Sequence, residues 1–307
     1  MRSGRISAGN GRVLARKVAG ADWRAVENWF AAATSDARKR GCKGLLVSSE
    51  ELLAPLAMPG SFERFVEALT RSGVNDVSLL LVLRDPASQL LSLYKHRAKD
   101  GSVGRIADWV AEGYLLPKHL AALRRQLQSS DIKLLVRAYR RGSDGLERLF
   151  FRDWLELEGK MVDGASEVNP SLSLSELELV RLMHRRRPEL VAVLHERLSA
   201  VSRTEKVQGR ALECHARAVA EQTVRQHGEE WQRWNELLPE GERLEIPGST
   251  PEIPPFPNEL AFSGRQLDAI AGFLGETVTL KFLAQLIWRS RIRPGLGRVA
   301  RAVGIRR

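Results

Sequence analysis

Seven residues, Val77 to Leu83 (VSLLLVL), constrain the fold more than any other stretch of this chain. Asn75 and Asp76 precede them and Arg84-Asp85-Pro86 follows, so an almost wholly apolar run stands between two groups of turn-forming residues. The run is too short for a buried helix and lacks the alternation of a half-solvated strand, which predicts a strand covered on both faces. Two shorter runs fit the same description, Leu45 to Val47 within Gly44 to Ser48, and Ile132 to Val136. Between and around them apolar residues recur at helical spacing, in Trp23 to Arg40, Ser61 to Arg71, Ala87 to Lys99, Ile106 to Glu112, Lys118 to Gln128 and Leu146 to Leu157. Parallel strands need crossover connections, usually helical, so the alternation predicts an α/β fold with a mostly parallel sheet flanked by helices. Ligands of such sheets gather at the carboxyl ends of the strands.

The strand signal stops after Ser173. Ser175 to Arg185, Glu189 to Val201 and a long stretch from Gly209 to Leu238 read as helices, and Pro247 to Pro257, with five prolines, reads as an extended linker. Ser263 to Phe282 is expected to form a last amphipathic helix with Ser263 as its N-cap. The predicted organisation is an α/β core over 1–165, an α-helical cap over 166–285 and a basic tail over 286–307.

The formal charge of +11 suggests an anionic partner until its distribution is considered. From Lys281 to Arg307 the chain carries eight basic residues and no acidic one, so the first 280 residues hold only +3. A nearly balanced body gives no ground for a specific nucleic-acid partner. The tail, in which Arg alternates with Ile, Leu and Val, could lie on anionic lipid. No signal-peptide pattern follows Met1, no run of 18 apolar residues occurs, and Cys42 and Cys214 make neither a disulfide framework nor a zinc site. The expectation is a cytoplasmic protein, with peripheral contact at the inner membrane face through the tail. Cys214-His215 sits in a helical stretch without further ligands, and Trp231 and Trp234, three apart, are expected in the core.

The chemistry-bearing segment is Leu80 to Lys99 (LLVLRDPASQLLSLYKHRAK). An arginine at the end of a strand and a serine eight residues later on the following helix could both reach one anion, the guanidinium with a bidentate fork and the hydroxyl with one more hydrogen bond. Read without further context, Arg84 and Asp85 are turn residues and Ser92 a solvated helix position. Arg84, Pro86, Ser92 and Tyr94, in that order and spacing, resemble the 3′-phosphate-binding element of sulfotransferases that use 3′-phosphoadenosine 5′-phosphosulfate (PAPS). Tyr94-Lys95-His96 is similar to a segment of the heparan-type N-sulfotransferases. Leu45 to Glu50 resembles the strand ending in Ser-Ser-Glu of bacterial glycan-type members, and Asn169-Pro170-Ser171-Leu172-Ser173 resembles a loop of that group that leads into a helix.

The resemblance spans about residues 10 to 285 and implies a P-loop-like α/β fold, PAPS as sulfuryl donor and a saccharide or glycan hydroxyl or amine as acceptor. It also implies Arg84, Ser92, Asn169 and Ser171 as cofactor-binding residues, with Glu50, and behind it Glu51 and His96, as candidates for the general base. One element of that family is missing. No Gly-x-x-x-x-Gly-Lys-Ser/Thr string occurs, and Ile6 to Arg12 is similar to the stretch that normally follows the 5′-phosphosulfate loop and its helix. A truncated start is the favoured explanation. A degenerate homologue that binds nucleotide or a partner without turnover, and a rebuilt site using Arg12, Arg16 or Lys17, are the alternatives.

Overall fold

A computed structural model of the chain describes residues 11–139, 148–155, 172–201, 205–207 and 209–277. The expected helix at Leu146 to Leu157 lies partly outside these residues; the part described, Arg148–Trp154, is a wide turn of π-helical form. The chain divides into two compact units that are interleaved along the sequence: Met1–Leu83, Leu115–Ala138 and Glu229–Arg243 make one, and Arg84–Tyr114, Tyr139–Gly228 and Leu244–Arg307 the other.

The first unit opens with α1 (Arg12–Ala19) and α2 (Trp23–Lys39), followed by a short 3-10 turn (Glu50–Leu52), α3 (Leu53–Leu56) and α4 (Ser61–Arg71). Asp22 caps α2 by accepting a hydrogen bond from the Ala25 amide at 3.0 Å, and Arg38 and Lys39 end it favourably against the helix dipole. The unit also holds β1 (Ser78–Leu83), α7 (Leu116–Gln128), β2 (Lys133–Ala138) and most of α11 (Gly228–Asn235). β1 and β2 are parallel and in register from Ser78 opposite Lys133 to Leu83 opposite Ala138.

Three expectations are corrected here. Residues 44–48 form no strand and Leu45 remains 40% exposed, because among the described residues the sheet has only two strands and offers this short run no ladder. For the same reason β1 is not covered on both faces: Leu79, Leu80, Leu81 and Val82 are half-buried and only Leu83 is fully so. The long helix expected from Gly209 to Leu238 is broken near Gly228 into α10 (Arg210–Gln226) and α11. Glycine is the weakest helix former there apart from proline.

The core of the first unit is built on Leu14, Val18, Val26, Phe30, Phe62, Leu120, Leu123, Trp231 and Trp234, all nearly inaccessible to water. Both tryptophans are core residues, as the spacing predicted. Arg124 grips Glu230 through two nitrogens, at 3.1 and 3.3 Å. Glu242 accepts the Ala138 amide at 2.9 Å, just where β2 ends.

The second unit contains α5 (Pro86–Ala98), α6 (Ile106–Gly113), α8 (Leu174–His184), α9 (Val191–Ser199), α10 and α12 (Gly264–Thr277). Pro86, Leu90, Tyr94 and Ala98, four apart, form the buried stripe of α5, which packs against α10 and α8. Two capping boxes meet in this unit. Ser173 and Glu176 cap α8 reciprocally, Ser263 and Gln266 cap α12 in the same way, and the Gln266 Nε2 donates to Ser173 Oγ at 3.4 Å. Residues 247–257 run without regular structure, as the prolines require, and are tied down by side chains of the helices. Arg225 donates to the carbonyls of Pro247 and Gly248, His215 Nδ1 donates to that of Pro254 at 2.7 Å, and Arg105 lies 3.7 Å over the Phe256 ring. The chain is thus of α/β class, predominantly helical, with a small parallel sheet. No helix among the described residues is long and apolar enough to cross a membrane.

Candidate functional site

β1 ends at Leu83, and the next three residues set up everything that follows. Asp85 has a non-helical backbone and its Oδ1 accepts the Ser88 amide at 2.8 Å; Pro86, which lacks an N–H, occupies the first turn. The chain must therefore leave the strand and enter α5 within two residues, which leaves Arg84 at the junction. Its guanidinium carbon lies 5.6 Å from the centre of the Tyr139 ring, the first residue after β2. Arg84 is half-buried, yet no carboxylate pairs with it among the described residues. Most arginines placed so are paired, because a partly desolvated cation without an anion is costly.

Ser92 lies two turns into α5, off the buried stripe, and is exposed, as is His96 one turn further. No hydrogen bond joins Arg84 to Ser92, and neither side chain has another hydrogen-bonding partner among the described residues. Tyr94 is different. It is buried, donates to the Gly104 carbonyl at 3.2 Å and leans on Trp109 with ring centres 5.6 Å apart. Burial first, and the nearby Glu178 carboxylate second, push its phenol up to about 12, so it stays protonated and serves the core.

In the first unit, Glu50 is exposed on the turn after Ser49, whose hydroxyl accepts the Glu51 amide at 3.1 Å. Glu51 pairs with Arg12 at 3.4 Å. Arg16 and Lys17 line an open depression of about 410 Å³ with Val13, Gly20 and Asp22. Asn169 and Ser171 lie outside the described residues. No cluster of three or more His, Cys, Asp or Glu suited to a metal ion occurs among the described residues, and Cys42 and Cys214 are exposed thiols.

Sequence reasoning missed the most strongly buried ion pair among the described residues. Glu176 and Lys206 have side chains with 0% exposure and face each other at 3.2 Å. Ser173-x-x-Glu176 was legible as a capping box, but nothing in the neighbourhood of Lys206 announces a buried ammonium. It also missed Glu178, which holds Arg181 through two oxygens while Arg105 approaches Glu178 at 3.6 Å.

No family model, no curated protein and no solved structure matches this chain.

Proposed function

We propose that the chain is a sulfotransferase-like protein that binds PAPS and transfers its sulfuryl group to a hydroxyl or amine, with a saccharide or glycan as acceptor. One observation carries the reading: a half-buried guanidinium at the exit of β1, steadied on the Tyr139 ring and without a carboxylate partner among the described residues. An arginine in that state has its donors left for an anion from solution, and a planar fork suits a phosphate monoester. The Ser88 amide in the first turn of α5 is already occupied by Asp85, and the reading places the phosphate on side chains, Arg84 with Ser92 behind it. Asn169 and Ser171 are further candidates on the cofactor side.

Sulfuryl transfer needs an in-line nucleophile and neutralisation of the oxygens on the moving group, so positioning and charge dominate. Glu50, exposed and free of a salt bridge among the described residues, would take the acceptor proton, with His96 as second candidate. A second reading is a homologue that binds nucleotide without turnover, since no Gly-x-x-x-x-Gly-Lys-Ser/Thr string occurs in these 307 residues. Arg12, a candidate for a rebuilt loop, is engaged by Glu51, whereas Arg16 and Lys17 border open space.

Isothermal titration with adenosine 3′,5′-bisphosphate tests the shared part of both readings. Wild type should bind, and Arg84→Ala should weaken binding about tenfold or more, the worth of a charge-assisted hydrogen bond. No binding by wild type, or equal binding by the variant, removes the site. Release of the bisphosphate from PAPS in the presence of a glycan acceptor, lost in Glu50→Gln, separates the catalytic reading from the silent one.

A further inference from the structure

The starts of α8 and α12 meet in the second unit, and a few residues of intervening chain are stitched between them. Glu205 pairs with Arg265 of α12 at 3.4 Å, Lys206 faces Glu176 of α8 at 3.2 Å, and the Val207 amide donates to Gln266 Oε1 of α12 at 3.1 Å. Gly209, with φ of +75°, then closes on α8 so tightly that a Cβ there would stand 2.9 Å from Ser175 Oγ. Four residues thus engage the two helices in alternation. Two further bonds join the helix starts directly, Gln266 Nε2 to Ser173 Oγ at 3.4 Å and the Ala261 amide to Ser175 Oγ at 3.3 Å.

The side chains at this junction serve twice. Glu176 Oε2 accepts the Ser173 amide at 2.6 Å as half of the α8 capping box, and it also faces the Lys206 ammonium. Gln266 Oε1 accepts the Ser263 amide at 2.8 Å as half of the α12 box, and it also takes the Val207 amide. Opening either box therefore breaks a contact to the connecting residues. Ser173, Ser175, Glu176 and Gln266 are all inaccessible to water, so a junction made of polar groups and one ion pair lies where apolar side chains are usual. Buried charges regain hydration when such a region opens and apolar groups do not, which makes opening here less costly than opening the core of the unit.

We infer that Glu205, Lys206, Val207 and Gly209 form a latch: the starts of α8 and α12 open together when it lifts, while the rest of the second unit stays folded. Glu205 and Val207 are exposed and Lys206 between them is buried. A molecule that engages the two outer residues thereby acts on two buried helix starts at once. The inference does not depend on the sulfotransferase reading.

Hydrogen exchange of backbone amides in the full chain, followed by nuclear magnetic resonance, tests the latch. The reporters are Val207, Leu177, whose amide donates to the Ser173 carbonyl in α8, and Leu267, whose amide donates to the Ser263 carbonyl in α12. Tyr94, buried in the interior of α5, is the core reference. In wild type the three reporters should share one protection factor, lower than that of Tyr94. Lys206 makes no ion pair or hydrogen bond to α12 among the described residues. Lys206→Met should nonetheless speed exchange of all three by the same factor, about a hundredfold or more, as expected for breaking a buried pair from one side. Glu205→Gln leaves the interior intact and makes the comparison from the α12 side, where Leu177 should speed up together with Leu267 by up to about fivefold. Unequal protection of the three in wild type overturns the latch, and so does protection equal to that of Tyr94. A variant that speeds one helix start and leaves the other unchanged overturns it as well.

Discussion

Removing the ammonium opposite Glu176 should be the most damaging single change in the second unit. In Lys206→Met the volume is kept while Glu176, whose side chain is inaccessible to water, loses a partner at 3.2 Å. At that distance, with an effective dielectric constant of about 20, the attraction is worth about 5 kcal/mol. The carboxylate keeps one hydrogen bond, from the Ser173 amide at 2.6 Å, while its other oxygen has no partner among the described residues. Breaking a buried pair from one side costs about 3 to 5 kcal/mol in proteins generally, so a loss in that range is expected. Urea unfolding followed by circular dichroism measures it. The double variant Glu176→Gln/Lys206→Met should recover part of the loss, since it leaves no buried charge behind. A single variant that loses less than about 1 kcal/mol, or a double variant worse than both singles combined, would refute the account of this pair as a mutually neutralised buried couple.

Gly101→Ala should destabilise by about 2 to 3 kcal/mol, because the positive φ and the 2.7 Å approach to His184 each forbid a Cβ; thermal unfolding reports it. Tyr94→Phe removes the hydrogen bond to the Gly104 carbonyl and should cost about 1 kcal/mol. In the wild type the raised phenol pKa stabilises the fold fully below the ordinary tyrosine value near 10, and that contribution disappears as pH rises through about 12. Ultraviolet difference titration should accordingly show Tyr94, and Tyr114 with it, ionising later than a free phenol, since burial raises both. Asp85→Ala takes the cap from α5 and should lower stability by about 1 kcal/mol in a denaturant titration.

The elements that sequence reasoning placed well are those whose cause is local. The bracket of turn residues around VSLLLVL, the Asp-Pro opening of α5 and the Ser263 cap of α12 are decided by neighbours within four residues, and each stands where expected. Leu45 to Val47 failed because a strand is made by its partner, and three apolar residues cannot say whether one exists. The break falls at His227, beside Gly228; the glycine was visible, but the helical periodicity on both sides outweighed it. At the candidate site, Arg84 and Ser92 were legible as types and spacing. Their freedom from carboxylates was not, because it depends on where every acid of the fold comes to lie. The Glu176 and Lys206 couple was hidden for the same reason, its members being thirty residues apart and joined only by packing.

Among the described residues β1 has a neighbour on one side only. Along its other side every second residue directs both an amide hydrogen and a carbonyl oxygen outward, and no ladder receives them among the described residues. With four aliphatic side chains half in water beside them, this margin lacks the lysines, prolines and bulges that guard exposed strands in other proteins. Concentrated or partly unfolded material should therefore cross-link through β1 into insoluble β-rich assemblies before any other part of the chain does, and a lysine at Leu80 should delay that precipitation.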